Sequence, residues 1–422
     1  MRSRTLTLGV LLCLSAAGVV RADWPQWRGP NRSGVSQETG LLKQWPAAGP
    51  KLLWQANDLG DGYSTPVVTG NRIYMMSNRG LDNEYVQAIS ASDGKVIWTT
   101  RVGKVGNPEQ NPNFPKARST PTIDGSVLYT LGSDGDLACV ETKTGKLRWT
   151  KNLRKDFGGQ PGEWAYAESP LVDGDMVIVT PGGADATLVA LNKKNGALIW
   201  KSAVPGGDPA GYASAIVVQA AGRKQYVQLL TKGLVGVDAK TGQFLWRYKD
   251  VAKGPAQYFT PVSFGDYVYS GALGVGGGTV RLKANGEGVT AEQVYFVRGL
   301  PNGIGGAVAL NGFLYGTEVA QKLVAVEFAT GKIVWQQENF GWASVAAADG
   351  MLYLHLVDGR LALVEATPAG FREKGRFTPP AAPQHSKNGQ FAEMSFAYPV
   401  IANGRLYIRD LGTLWAYDIK AK

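Results

Sequence analysis

The chain has 422 residues, 55 of them Gly, with 44% hydrophobic and only 18% charged residues, which suffices for a large core and excludes a disordered polymer. Its net charge of +10 comes without a Lys/Arg block, so anionic surfaces or polymers are expected as partners and nucleic acid is not. Two Cys and two His exclude a disulfide framework and a zinc set.

Residues 1–22 read as a secretory signal peptide: Arg2 and Arg4, an apolar run from Leu6 to Val20, then Val20-Arg21-Ala22 as the cleavage site. Leu12 stands before Cys13 where a lipoprotein signal carries a small residue, so lipidation is not expected. Removal of the signal leaves Cys139 as the sole cysteine, and no later stretch approaches membrane-spanning length. A periplasmic or secreted protein with no transmembrane segment is expected.

Residues 23–50 form an extended arm. It opens Asp23-Trp24-Pro25-Gln26-Trp27-Arg28-Gly29-Pro30, whose Trp side chains are expected to cover an apolar surface. Residues 51–422 are a repeat array carrying two superposed signatures. In the first, a Thr, Asn or Asp precedes a Gly, and a Trp follows that Gly by four residues. The pairs are Gly94 and Trp98, Gly145 and Trp149, Gly196 and Trp200, Gly242 and Trp246, and Gly331 and Trp335. Such a Gly suits the positive φ of a tight hairpin, and the apolar run ending in Trp reads as the following strand. Lys51-Leu52-Leu53-Trp54 is the same strand with nothing before it. Lys283-Ala284-Asn285-Gly286 is a worn copy in which Phe296 stands as the aromatic, and Phe377 marks another.

The second signature is a short strand, a Gly turn and a second strand marked by Tyr. Its glycines are 70, 125, 174, 222, 265, 312, 350 and 404, about 48 residues apart. Several first strands open on a small residue and Pro, as in Ser64-Thr65-Pro66 and Ser119-Thr120-Pro121, which places them at a sheet edge. Both signatures count eight. The expected fold is therefore all-β: an eight-bladed β-propeller of four-stranded antiparallel blades, closed when the strand at Trp54 joins the strands ending at Trp415-Ala416-Tyr417-Asp418. Segments 101–118, 151–168 and 247–258 are expected on the channel-mouth face, and Thr378 through Gln390 as an inserted loop.

The Asp-x-x-Thr-Gly-x-x-x-Trp pattern of Asp238 to Trp246 resembles the tryptophan-docking, pyrroloquinoline-quinone-like repeat of quinoprotein-type propellers, over nearly the whole span from Trp54 to Asp418. One branch of that family holds eight-bladed quinoprotein alcohol dehydrogenases. Another holds non-enzymatic propellers such as the lipoprotein of the outer-membrane barrel assembly machinery. Length and the opening arm look most like exported bacterial members without settled activity. The resemblance implies that each Trp packs between neighbouring blades and that the Gly turn admits it.

A quinoprotein dehydrogenase of this family would hold its quinone between a Trp floor and a disulfide of adjacent cysteines, beside Ca²⁺ and an Asp base. This chain has no Cys-Cys pair, and no local motif matches the calcium or base positions. No cofactor or metal is expected, with pyrroloquinoline quinone and Ca²⁺ kept for the alternative reading as a quinone-dependent oxidoreductase. His355 alternates with Leu as a strand residue whose ring is satisfied, His385 lies far from it, and Gly274-Val275-Gly276-Gly277-Gly278 opens no helix that could cradle phosphate. No Gly-x-Ser-x-Gly elbow supports a serine nucleophile. What remains is the channel mouth. Residues just before the inner strands are expected to ring it: Tyr63, Arg118, Trp164, Tyr166, Glu168, Tyr212, Tyr258, Trp342 and Tyr398. Aromatic faces with a few charges suit a planar ligand, a sugar or a peptide, or else simply plug the funnel. The chain reads first as a binding or scaffolding module for protein or polymer partners of the cell envelope.

Overall fold

The computed structural model describes residues 22–110, 117–254, 256–383, 395 and 397–421. Residues 1–21 of the expected signal, His385 and residues 384–390 of the expected insertion lie outside the described residues.

Thirty-two strands form eight four-stranded antiparallel sheets. Blade 1 runs outward through Val67–Thr69, Arg72–Arg79, Asn83–Ser90 and Val96–Lys104, and blades 2 to 7 repeat this order along the chain. Blade 8 takes Val400–Ala402, Arg405–Asp410 and Thr413–Asp418 from the end of the chain, and its outer strand is Lys51–Ala56. Gln55 faces Trp415, and Trp54 faces Ala416. The ring is closed by the amino-terminal strand, as the two eightfold counts require.

Blades stack face to face, so their middle strands are buried on both sides and lose the usual alternation. Gly233–Asp238 is buried at every residue, and so is Met351–Leu356. Outer strands keep one exposed edge. In every outer strand the pairing register slips at the docking position: Ala88 faces Trp98 while Ile89 faces Val96, and Ala325 faces Trp335 while Val326 faces Ile333. The slip recurs in the other six blades. A bulge inserts one residue and turns the next side chain across the sheet. Here it aims the indole at the following blade.

There it meets the hairpin glycine. A Cβ at Gly94 would lie 2.8 Å from Trp54, at Gly145 2.8 Å from Trp98, at Gly196 2.9 Å from Trp149 and at Gly242 2.4 Å from Trp200. These glycines sit at φ near +75°, so the position needs both the absent side chain and the left-handed backbone. Several indoles then donate to a carbonyl of the neighbouring blade, Trp98 to Thr142 at 3.1 Å and Trp149 to Lys193 at 3.0 Å.

Two blades depart from the pattern. In blade 5 the docking residue is Tyr295, not Phe296: Tyr295 faces Thr279 at the bulge, would meet a Cβ at Gly331 at 2.7 Å, and donates its hydroxyl to Phe328 O at 2.9 Å. In blade 7 the docking position falls on Gly375, which faces Leu363 at the bulge, rather than on Phe377. Trp45 of the arm fills the space. A Cβ at Gly375 would lie 2.6 Å from it. Trp45 N donates to Lys374 O at 2.8 Å, and its ring packs 6.0 Å from Tyr353 and 5.2 Å from Phe377. Trp98 and Trp149 lie 5.9 Å from the Tyr of their own blades, so an indole from outside the blade reproduces the arrangement. Trp246 and Trp335 do not meet the hairpin glycine of the next blade: the first lies over Gly236 of its own blade and donates to Gln225 Oε1 at 2.7 Å, and the second donates to Thr367 O at 2.7 Å.

The arm does more than cover apolar surface, because it threads the central channel. Trp24 bridges Val68 of blade 1, Pro25 O accepts from Ile123 of blade 2, and Val35 bridges Ala347 of blade 7. The inner strand of each blade is a free edge whose carbonyls need partners. Buried Arg28 donates to Ala307 O in blade 6, and buried Arg32 donates to Ser169 O at 2.7 Å and Pro170 O at 2.9 Å at the start of blade 3.

Trp45→Ala is expected to lower the unfolding free energy by about 3–5 kcal/mol, the usual cost of removing a buried indole. A change below about 1 kcal/mol in denaturant titration would remove Trp45 from the docking role. Gly242→Ala, which drives a methyl into Trp200, should cost roughly 2–4 kcal/mol. Gly222→Ala, at a similar φ of +72° but with open space around its Cβ, should cost only the backbone share of about 1 kcal/mol.

Candidate functional site

The connections that return from one blade's outer strand to the next blade's inner strand converge on one end of the channel. They enclose a cavity of about 280 Å³ whose lining includes Trp27, Tyr63, Arg118, Trp164, Tyr212, Tyr258 and Tyr398, with Ala167 and Ile304 between the rings. Six of the nine residues expected to ring the mouth are therefore brought together, from blades 8 and 1 to 5.

The other three lie elsewhere. Tyr166 points into the core, 2% exposed, and donates to Pro181 O at 2.8 Å. Glu168 is buried behind the wall, where it accepts from Thr180 N at 2.7 Å, Thr180 Oγ1 at 2.9 Å and Gln228 Nε2 at 3.2 Å. Trp342 donates its indole N–H to Val319 O at 2.9 Å outside the cavity. Ala165, at φ +67°, turns the backbone after Trp164, so that Tyr166 and Glu168 project inward while Trp164 and Ala167 line the cavity, which counting back from the inner strand could not distinguish. Trp27 is the residue that sequence reasoning left out. It donates to Thr260 Oγ1 at 3.0 Å, packs edge-on against Tyr398 at 4.8 Å, and forms the inner wall of the cavity.

The rings hold one another. Trp164 and Tyr212 pack at 5.6 Å, the Trp164 backbone N–H donates to the Tyr212 hydroxyl at 3.1 Å, and Tyr258 donates to Asn302 O at 3.1 Å. Burial pushes the hydroxyls of Tyr63, Tyr212 and Tyr258 above the ordinary tyrosine range, so they stay neutral donors. Among the described residues, Arg118 is the one charged residue in the wall. It lies 5.9 Å from the centre of the Tyr212 ring and donates through Nη2 to Trp164 O. Its Nε has no hydrogen-bond partner among the described residues, and burial lowers its pKa.

Among the described residues, no His, Cys, Asp or Glu lines the wall. Among the described residues no group of three or more such side chains could hold a metal ion. The arrangement can stack a flat or apolar body and offer it one guanidinium, and it contains no paired acid and base. Elsewhere, burial raises the Cys139 thiol to about 11, which leaves it unreactive. His355 is 1% exposed; its Nδ1 bonds Ala397 O at 2.8 Å, whereas Nε2 has no partner among the described residues, so the ring is only half satisfied.

Beneath the wall lie two buried carboxyls, Glu84 and Glu168, each pushed up to about 7 by burial. Both stand above the ordinary 4.5, so the folded state binds protons that the unfolded chain has released. Their contribution to stability is full below about pH 4.5 and is lost as pH rises toward 7. Across that window the difference amounts to roughly 1–3 kcal/mol per group. Glu84→Gln should flatten this slope in denaturation measured from pH 4.5 to 7.5. An unchanged slope would mean that Glu84 titrates normally.

A family model described as outer membrane protein assembly factor BamB matches residues 29–108 and 82–269. Outer membrane protein assembly factor BamB of Yersinia pestis is 26% identical over 239 residues, 53% of this chain and 55% of that protein. Tetrathionate hydrolase of Acidithiobacillus ferrooxidans is 24% identical over 398 residues, 85% of this chain and 64% of that protein. The chain spans 32% to 64% of the length of such curated relatives. Among solved structures, BamB from Moraxella catarrhalis superposes with a TM-score of 0.62 at 16% identity, covering 89% of this chain and 99% of that one. Quinohemoprotein alcohol dehydrogenase ADHIIG from Pseudomonas putida HK5 superposes at 0.54 and 14% identity, covering 95% and 81%; at these identities both show the propeller fold alone. With the repeat signature, the ring of eight blades and a family match over more than half its length, the chain belongs to the family of pyrroloquinoline-quinone-like repeat propellers described as outer membrane protein assembly factor BamB.

Proposed function

We propose that the protein is an exported binding module that engages a protein or an anionic polymer of the cell envelope through the channel mouth. The observation that carries this reading is the wall itself: six aromatic residues and one guanidinium around an open cavity, with no acid–base pair among them. Aromatic residues and Arg dominate recognition surfaces because they present large, rigid area at low entropic cost. The basic excess of the chain favours an anionic partner. The name of the BamB relatives, assembly factors of outer membrane proteins, supports a periplasmic setting and a protein partner.

The oxidoreductase alternative asks more of the wall than it offers. Calcium takes six to eight oxygens, largely carboxylate, and no carboxylate lines the cavity among the described residues. Glu84 and Glu168 are buried behind it and engaged with Ser133 and Thr180. The donor set does not fit a calcium–quinone pair, and no step is derived through one.

A photoreactive residue placed at Trp164 in the native envelope should give a reproducible crosslinked partner. The same probe at Lys201, on the outer strand of blade 3, should give much less. Trp164→Ala with Tyr212→Ala, in otherwise unlabelled protein, should reduce partner recovery at least tenfold. Equal recovery from both positions, or capture indifferent to the double substitution, would remove the mouth from the interaction.

A further inference from the structure

Given the mouth as a binding site, the chemistry of its wall narrows the ligand. We propose that the cavity takes a hydrophobic monocarboxylate, an apolar or aryl body seated among the rings with its carboxylate on Arg118. The source is either a small free acid or the chain end of a polypeptide with an apolar last residue.

Three observations lead there. The cavity of about 280 Å³ has room for one aryl or branched aliphatic group together with a carboxylate, and not for a folded segment. Its lining is dominated by the ring faces of Trp27, Tyr63, Trp164, Tyr212, Tyr258 and Tyr398, and the side-chain polar atoms of three of these are engaged with protein. Trp27 bonds Thr260, Tyr258 bonds Asn302, and Tyr212 accepts from Trp164. A sugar ring would bring several hydroxyls into such a wall and find few partners, whereas an apolar body needs none.

Arg118 supplies the third. Salt-bridged arginines of this chain sit beside a carboxylate, as Arg247 does with Asp208 at 3.1 Å. Arg118 has no carboxylate within ion-pair distance among the described residues; its protein partner is a single carbonyl, and Nε is left without one. Glu84, the acid that acts on it electrostatically, accepts from Ser133 N at 2.5 Å through Oε2 and forms no ion pair with it among the described residues. Five N–H donors in a fixed fork on a half-buried guanidinium, one of them used, with no other charge lining the wall among the described residues, match a single carboxylate. A monoanion also satisfies the site without leaving a second negative group against apolar rings.

The experiment is calorimetric titration of the full chain with two matched pairs: 3-phenylpropionate against its primary amide, and a hexapeptide ending in leucine with a free or an amidated carboxyl. The acid of at least one pair should bind at least tenfold more tightly than its amide, since the isosteric amide keeps the body and loses the charge-assisted bond. Preference for 3-phenylpropionate identifies a free acid as the source, and preference for the peptide identifies a polypeptide end. Arg118→Gln should bring acid and amide to equal affinity, the acid losing at least tenfold more than the amide. If that variant does not fold, the acid-to-amide ratio of the unaltered protein and its fall between 50 and 500 mM salt decide the matter. Equal affinity of acid and amide, or no binding of any of the four, overturns the proposal. Partner capture that still depends on Trp164 and Tyr212 would then leave the mouth as a binding surface of another specificity. Failure of that capture together with acid-selective binding would instead leave a small-acid site with no scaffolding role.

Discussion

Everything in this fold depends on the indole that crosses from one blade to the next. A propeller has no covalent link between adjacent sheets apart from single connections, so the angle between blades must be fixed by packing. Three local features combine to fix it. The bulge turns the docking side chain out of its own sheet, the hairpin glycine of the next blade offers a surface without Cβ, and a neighbouring carbonyl accepts the indole N–H. The tyrosine of the second strand backs the ring from behind. Because each contact spans one blade boundary, interface strength adds around the circle much as in a linear repeat array. Where a blade lacks its own residue, the gap is filled from elsewhere, by Tyr295 in blade 5 and by Trp45 of the arm in blade 7.

Eight blades set a second problem, since a ring of that size leaves a channel lined by unpaired inner edges. The arm resolves it from within. Its backbone bridges blades 1 and 7, and Arg28 and Arg32 carry donors to carbonyls of blades 6 and 3 that no neighbouring strand can reach. Guanidinium suits the task because it satisfies several acceptors from one planar group. Filling the channel in this way also gives the mouth an inner wall. Trp27 stands at the upper end of the plug, so the cavity is shallow, and its shape follows from the arm as much as from the blades.

The blade number, the strand order and the closure were legible because Gly-to-Trp and Gly-to-Tyr spacings are short and local, and two independent counts had to agree. The exceptions were not. Phe296 looked like the aromatic of blade 5 because it is the larger apolar ring, but the bulge shifts the docking position by one and gives it to Tyr295. Phe377 looked like the equivalent in blade 7, yet the position belongs to a glycine, and the ring arrives from Trp45 across more than three hundred residues. Nothing local records such a contact. The same limit applies at the mouth: distance from the inner strand located Tyr63, Arg118, Trp164, Tyr212, Tyr258 and Tyr398, but the side of the backbone on which Tyr166 and Glu168 project depends on loop geometry. The arm's Trp27 was read as packing because an extended segment rich in turn residues carries no sign that it enters a channel.

The pairing of Lys51–Ala56 with Thr413–Asp418 has a bearing on how the molecule is made. A polypeptide delivered amino end first presents this ribbon, with Leu52 and Leu53 bare, long before its complement exists. Some 360 residues must be synthesised and laid down as seven finished vanes before the seam can zip. Throughout that interval the leading ribbon is an adhesive flap with main-chain groups open to any passing β-segment. Shielding of this strand, or rapid completion of the rest of the chain, therefore matters at this one stage of biogenesis.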